Sequence, residues 1–116
     1  MLASIVSAQT SEIQSVAEGF QNGNASDISA CFGDEIEMII LSTSGTFSKQ
    51  KAASMLSDFF RRNTVQRFNL VHKGASGDSS FGTGNLTTQN GDFRVYFLFR
   101  KEKGENVIKI LRIEAK

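Results

Sequence analysis

His72 is the only histidine among the 116 residues, and imidazole is the side chain whose ordinary pKa lets a proton come and go near neutrality. General-base chemistry would also need a carboxylate or a Tyr within hydrogen-bond reach. Asp58, Asp92 and Tyr96 are the candidates, and spacing alone brings none of them to His72. His72 shares a strand parity with Phe68 and Leu70, so it reads first as a structural or surface histidine. Glu35 and Glu37 stand two apart on one strand face. They could pair as acid and base, but they fit better as the solvated side of a strand near a sheet edge. Cys31 is the single cysteine and lies on the apolar side of a short helical segment, where an inert buried thiol is the default. It excludes an intramolecular disulfide and says little about redox compartment.

Two glycine-bearing runs, Gly74-Ala75-Ser76-Gly77 and Gly82-Thr83-Gly84, suggest a phosphate loop. Each is followed by a strand pattern, whereas a phosphate loop opens a helix. Gly82 and Gly84 alternate within a strand and read as a place of strong bending or close packing. No residue is therefore assigned as catalytic or metal-ligating, and no cofactor is expected.

The elements that must hold these residues follow from periodicity. Ser11-Glu12-Ile13-Gln14 fits a capping box, and Ile13, Val16, Ala17 and Phe20 share one helical face that Gly23 ends. Ile5 and Val6 roughly continue that face, so the helix could begin near Ala3. Met1–Ala8 also has the small, apolar look of a signal-peptide tail, without a basic start. Ser26 to Gly33 reads as a second short helix, and Glu35 to Ser42 as a strand. Thr43-Ser44-Gly45 would turn it into a short return at Thr46-Phe47. Ser48 then caps a helix with Ala52, Met55, Leu56, Phe59 and Phe60 on its core side and Arg61-Arg62 in its last turn, where cations complement the dipole.

From Gln66 the period is two. Asn90-Gly91 is a strong hairpin signal that pairs Phe81–Gln89 with Asp92–Arg100, and Lys101–Asn106 turns the chain back into Val107–Ala115. Phe93, Val95, Phe97 and Phe99 take one face of the central strand, and Arg94, Tyr96, Leu98 and Arg100 the other. On the last strand Ile108 and Ile110 take one parity, while Val107, Leu111 and Ile113 take the opposite one. A bulge, or a strand covered on both sides, would explain the switch. Helices first and a strand meander after define an α+β protein. Its N-terminal helices pack on a strongly curved antiparallel sheet, in the order helix-helix-strand-strand-helix and a four-strand meander.

The bulk properties agree with one domain over residues 1–116. Charged residues make up 22% and the net charge is +1, so no field draws nucleic acid or a membrane surface. No apolar run approaches the roughly 20 residues of a membrane helix. Ten Phe stand against one Tyr and no Trp, which puts the aromatic weight in the core.

The element order resembles the nuclear transport factor 2-like superfamily, the curved-sheet cone also called cystatin-like. A narrower resemblance, to a small bacterial family of uncharacterised exported proteins, rests on Asn22-Gly23-Asn24-Ala25, Gly45-Thr46-Phe47-Ser48, Asp58-Phe59-Phe60, Val71–Asp78, Gly82–Thr88, Arg94-Val95-Tyr96-Phe97 and Leu111-Arg112-Ile113-Glu114. It spans roughly Ile13 to Glu114. It implies a cone fold and an exported, periplasmic setting, and carries no activity. Superfamily relatives include isomerases, dehydratases, cyclases and pure binding modules, so the fold alone decides nothing.

Inside such a cone Phe20, Cys31, Phe59, His72 and Phe97 are the expected pocket lining. The superfamily often dimerises through the outer sheet face, which makes Arg94, Tyr96, Leu98 and Arg100 the expected interface, enlarged by Leu111 and Ile113 if they point the same way. The leading expectation is a non-enzymatic homodimer that binds a small apolar ligand or a protein partner. The alternative is an isomerase-, dehydratase- or cyclase-type enzyme with His72 as base. A third reading is an interaction domain of the cell envelope.

Overall fold

A computed structural model describes residues 4–116, with side chains from Glu12 onward. Helix α1 spans Ser4–Asn22 and α2 spans Ala25–Ser29; strands β1 (Phe32–Ile40) and β2 (Thr43–Ser48) follow. Helix α3 covers Lys49–Arg62, and strands β3 (Val65–Ser76), β4 (Ser79–Thr88), β5 (Gly91–Glu102) and β6 (Glu105–Ala115) complete the chain. The six strands form one sheet in the order β2-β1-β6-β5-β4-β3. The expected α+β cone and its antiparallel meander stand. One pair departs from an all-antiparallel sheet, because β1 runs parallel to β6. Long-range placement of β1 beside the last strand leaves no mark in local periodicity.

Local boundaries shift for identifiable reasons. α1 begins at Ser4, so Ser11–Gln14 lies inside the helix rather than at its cap, and the earlier start is the right one. Met1–Ala3, part of the signal-like stretch, lie outside the described residues. The cap of α2 is Asn24, whose Oδ1 accepts from the Asp27 N–H at 3.1 Å, not Ser26. An Asx side chain two residues earlier does the same work. Gly33, expected to end that helix, is already in β1. Ser48 does cap α3, accepting from the Lys51 N–H at 3.2 Å.

The core is a Phe-rich layer between α1, α3 and the inner sheet face. Phe20 is fully buried and stacks on Phe68 at 5.2 Å and on Phe97 at 6.5 Å between ring centroids. Phe59 meets Phe93 edge-on at 5.2 Å, and Phe97 meets Phe99 at 6.1 Å. Such pairs add about 0.5–1.5 kcal/mol each beyond the area they bury. The rings come this close because β4 is stripped to glycine beneath them. A Cβ on Gly82 would meet the Phe97 ring at 2.6 Å, and one on Gly84 would meet the Asn69 carbonyl oxygen at 2.5 Å and the Phe68 ring. The close packing foreseen at these glycines is thus against aromatic rings and a neighbouring strand rather than against a helix.

Extra residues bend the sheet. β3 holds one at Gln66 and one at Val71, and β6 holds one at Lys109. Each bulge raises the local twist and turns the following side chains to the other face. The bulge at Lys109 explains the parity switch in β6, where Ile108, Leu111 and Ile113 are all buried on the inner side. Leu111 and Ile113 therefore belong to the core and do not enlarge the outer face. The last hairpin is tighter than the six-residue turn expected, because β5 and β6 extend until only Lys103-Gly104 joins them. Both have positive φ (53° and 82°), as a two-residue hairpin turn requires. No helix among the described residues is long and apolar enough to cross a membrane.

Candidate functional site

Two surfaces could recognise something: a cleft on the helix side and the outer face of the sheet. The cleft, about 380 Å³, lies between α3 and the β1–β2 turn. α3 presents Met55 and Phe59 one turn apart, and Ile40 and Phe47 face them from the hairpin. All four pack against the core, so the base of the cleft is apolar. Around it stand Lys51, Asp58 and Arg62, which α3 spaces about three turns end to end.

Asp58 is held by two guanidinium groups. Its Oδ1 accepts from Arg61, and its Oδ2 lies 3.3 Å from Arg62. The end of α3 is tied down as well. Asn90, from the β4–β5 turn, donates through Nδ2 to the Arg62 carbonyl oxygen at 2.6 Å, and Asn63 donates to the Phe59 carbonyl at 2.9 Å. The residue that signalled the hairpin in sequence thus also satisfies the C-terminus of α3, where orphan carbonyls need donors.

The β1–β2 turn is Leu41-Ser42, with Ile40 opposite Thr43. The sequence signal pointed two residues later, drawn there by Gly45. Leu41 has φ 56° and is 47% exposed, and its N–H donates to the Ile113 carbonyl at 2.9 Å. An exposed Leu in the left-handed region is an outlier for its residue type.

The outer face carries Tyr96 at its centre. The Phe81 ring stacks beside it at 6.3 Å, and the Arg112 guanidinium carbon lies 5.4 Å from the Tyr96 ring centroid on the other side. Leu98, in the next row, stands between Phe81 of β4 and Ile110 of β6. Tyr96, Leu98 and Ile110 are half-buried, and Arg94 and Arg100 are exposed. A shallow groove nearby is lined by Val71, His72, Thr83, Asn85 and Arg94.

The predicted pocket residues separate. Phe20, Phe59 and Phe97 are buried in the ring layer, and only Phe59 reaches the cleft. Cys31 is half-buried at the end of α2. Burial pushes its thiol above the usual range, helped by the nearby Glu12 carboxylate, so it remains protonated and a poor nucleophile at neutral pH. His72 is the clear correction. It is exposed and pairs across the ladder with Thr83, on the outer face, so it does not line the cone. Asp58 faces the opposite side of the molecule, in the cleft. The inner sheet positions that a cone enzyme would use hold Phe68, Leu86, Phe93, Val95, Phe97 and Leu111.

A curved mixed sheet wrapped on three helices is the nuclear transport factor 2-like cone. A likeness at the level of fold alone extends to a nuclear transport factor 2-like protein from Cytophaga hutchinsonii, with TM-score 0.67, 12% identity, and 95% of this chain and 97% of that one covered. Within that class the chain belongs to the family described as Domain of unknown function (DUF4783), whose model matches residues 13–114. A DUF4783 family protein from Bacteroides uniformis superposes with TM-score 0.85 at 34% identity, covering 89% of this chain and 95% of that one. One from Bacteroides ovatus gives 0.84 at 33%, covering 88% and 93%. None of the curated proteins matches the chain.

Proposed function

We propose that this protein is a non-enzymatic binding module that works as a homodimer paired through the outer face of its sheet. The observation that carries the reading is the Phe81–Tyr96–Arg112 stack. It is a large aromatic and cationic cluster on the side of the sheet that no described helix covers, with Leu98 and Ile110 alongside it. Tyr, Phe and Arg are the residue types enriched at interface cores. Charge supports self-pairing as well. Arg94, Arg100 and Arg112 lie on β5 and β6, and the exposed Glu35 and Glu37 lie on β1 beyond β6. A two-fold axis through the face brings the acidic side of one copy to the basic side of the other. A stable pair needs about 800 Å² from each partner.

The absence of chemistry from the inner face supports the non-enzymatic half. The buried polar residues there are Ser80 and Thr88, and the Thr88 hydroxyl serves the adjacent turn by bonding the Gly91 carbonyl.

Sedimentation equilibrium at micromolar concentration tests the reading. The expected result is a dimer for the wild type and a folded monomer for Leu98→Asp. A monomeric wild type refutes it.

A further inference from the structure

We propose that the cleft between α3 and the β1–β2 turn binds a small amphiphilic anion: a carboxylate carried on a short apolar body. This site lies on the helix side of the molecule and is independent of the pairing face. Three observations lead to it.

The first is shape and lining. At about 380 Å³ the cleft falls at the lower end of the range for small-molecule sites. Its base is Ile40, Phe47, Met55 and Phe59, an apolar floor in which the unbranched Met adapts to irregular ligands.

The second is the charge at the mouth. Among the described residues Asp58 is the only carboxylate lining the cleft, and both its oxygens face guanidinium groups, of Arg61 and Arg62. Lys51 also lines the cleft and pairs with no described carboxylate. Two lining cations, Lys51 and Arg62, against one acid that Arg61 also helps to neutralise leave the rim positive. Arg62 keeps donors to spare after meeting Asp58, since a guanidinium carries five. Its backbone is pinned by Asn90, so the base of its side chain is fixed beside the cleft. An apolar floor under a positive rim selects a ligand with the opposite arrangement: an apolar body with a negative end.

The third is Leu41. It is the first residue of a two-residue hairpin turn, with φ 56°, where Gly, Asn or Asp would be cheaper. Among the described residues it is also one of the two large apolar side chains left most exposed. Folding alone gives no reason for a Leu in that backbone conformation in water. A ligand on the cleft floor does, because Leu41 lines the cleft and would cover its apolar body. Outliers of this kind gather at ligand clamps.

The test is a titration of the folded protein with octanoate, 1-octanol and octylammonium, followed by amide chemical shifts. Octanoate is expected to bind saturably, with the largest shifts at Leu41, Ser42, Met55 and Arg62. Octanol should bind more weakly and octylammonium weakest. Arg62→Gln should weaken octanoate roughly fivefold and leave octanol unchanged. Leu41→Asn should weaken both octanoate and octanol while holding or raising the thermal midpoint, since Asn suits the turn. Both side chains are exposed, so neither substitution threatens the fold. Octylammonium binding as tightly as octanoate overturns the proposal. So does the absence of saturable shifts at the cleft, or a Leu41→Asn variant that binds octanoate as the wild type does. Each of these results leaves the pairing of the outer face untouched.

Discussion

His72 stands across the β3–β4 ladder from Thr83, while Leu70, two residues earlier, stands across from Gly84. Two steps on β3 match one on β4, and Val71 is the residue left over. It is 51% exposed. The bulge carries His72 from the parity of Phe68 and Leu70 to the opposite one, away from the cone. It also spoils the exposed edge of β3 as a template for another strand, which is one way that natural sheets avoid edge-to-edge association.

That register makes a deletion informative. Removing Val71 leaves Leu70 opposite Gly84 and His72 opposite Thr83 as consecutive rungs, with every later pair unchanged. The variant is expected to fold, to keep the His72–Thr83 cross-strand contact in a nuclear Overhauser spectrum, and to change stability by no more than about 1 kcal/mol, as surface changes do. If Val71 were instead part of the core register, its deletion would throw the Lys73–Ser76 half of β3 onto the wrong face and the spectrum would lose its dispersion.

The glycines of β4 give a sharper stability prediction. Gly84→Ala places a methyl group against the Asn69 carbonyl oxygen at 2.5 Å and against the Phe68 ring. Backbone in a paired strand cannot step aside, so the cost should reach about 3 kcal/mol, the upper end for overpacking. Gly82→Ala has its three nearest contacts in the ring of Phe97, from 2.6 Å, and a ring can tilt, so about 1–2 kcal/mol is expected. Gly77→Ala is the control. It has φ 59° and nothing within 4 Å, so it reports the left-handed backbone cost alone, about 1 kcal/mol. Urea denaturation of the three variants should rank them Gly84, Gly82, Gly77. Equal losses at Gly82 and Gly84 would mean that the Asn69 carbonyl moves freely.

These same residues show what the sequence could and could not disclose. The inward face of β5 was readable because Phe93, Val95, Phe97 and Phe99 alternate without interruption, and all four are buried. The bulge in β6 was readable because hydrophobic residues change parity across Lys109. The bulge at Val71 was not, because Phe68, Leu70 and His72 keep alternating in sequence while the backbone slips one residue between them. No glycine marks the slip, and the far half of β3 is exposed, so no apolar pattern records it. The cleft was missed for a related reason. Its lip is a turn built on Leu41, and turn chemistry teaches one to look for Gly or Asn. Gly45 drew the turn two residues late and hid Leu41 inside a strand. The parallel pairing of β1 with β6 joins strands far apart in the chain, and no local spacing encodes it.

The ion pair at the bulge in β6 predicts a pH response. The Lys109 ammonium lies 2.7 Å from Glu102 Oε2, and the same ammonium donates to the Glu35 carbonyl oxygen at 3.2 Å. It thereby stitches the irregular start of β1 to the last hairpin. The Lys109 hydrogen bond is the main reason that the Glu102 carboxyl lies below the usual carboxylate range. The charges of Lys109 and Lys103 add to it, and partial desolvation works against it. A carboxylate depressed in the folded state binds its proton more readily when unfolded. Its contribution is therefore complete above the ordinary Glu pKa and disappears as the pH falls through the lower, folded value. In a carbon-detected titration the wild-type Glu102 midpoint should lie lower than in Lys109→Met, and the variant should lose the part of the acid-side stability slope that this pair supplies. The pair is partly exposed and screened accordingly, so raising the salt should bring the two midpoints together. A Glu102 midpoint that does not respond to Lys109→Met would show that the two side chains do not pair in solution.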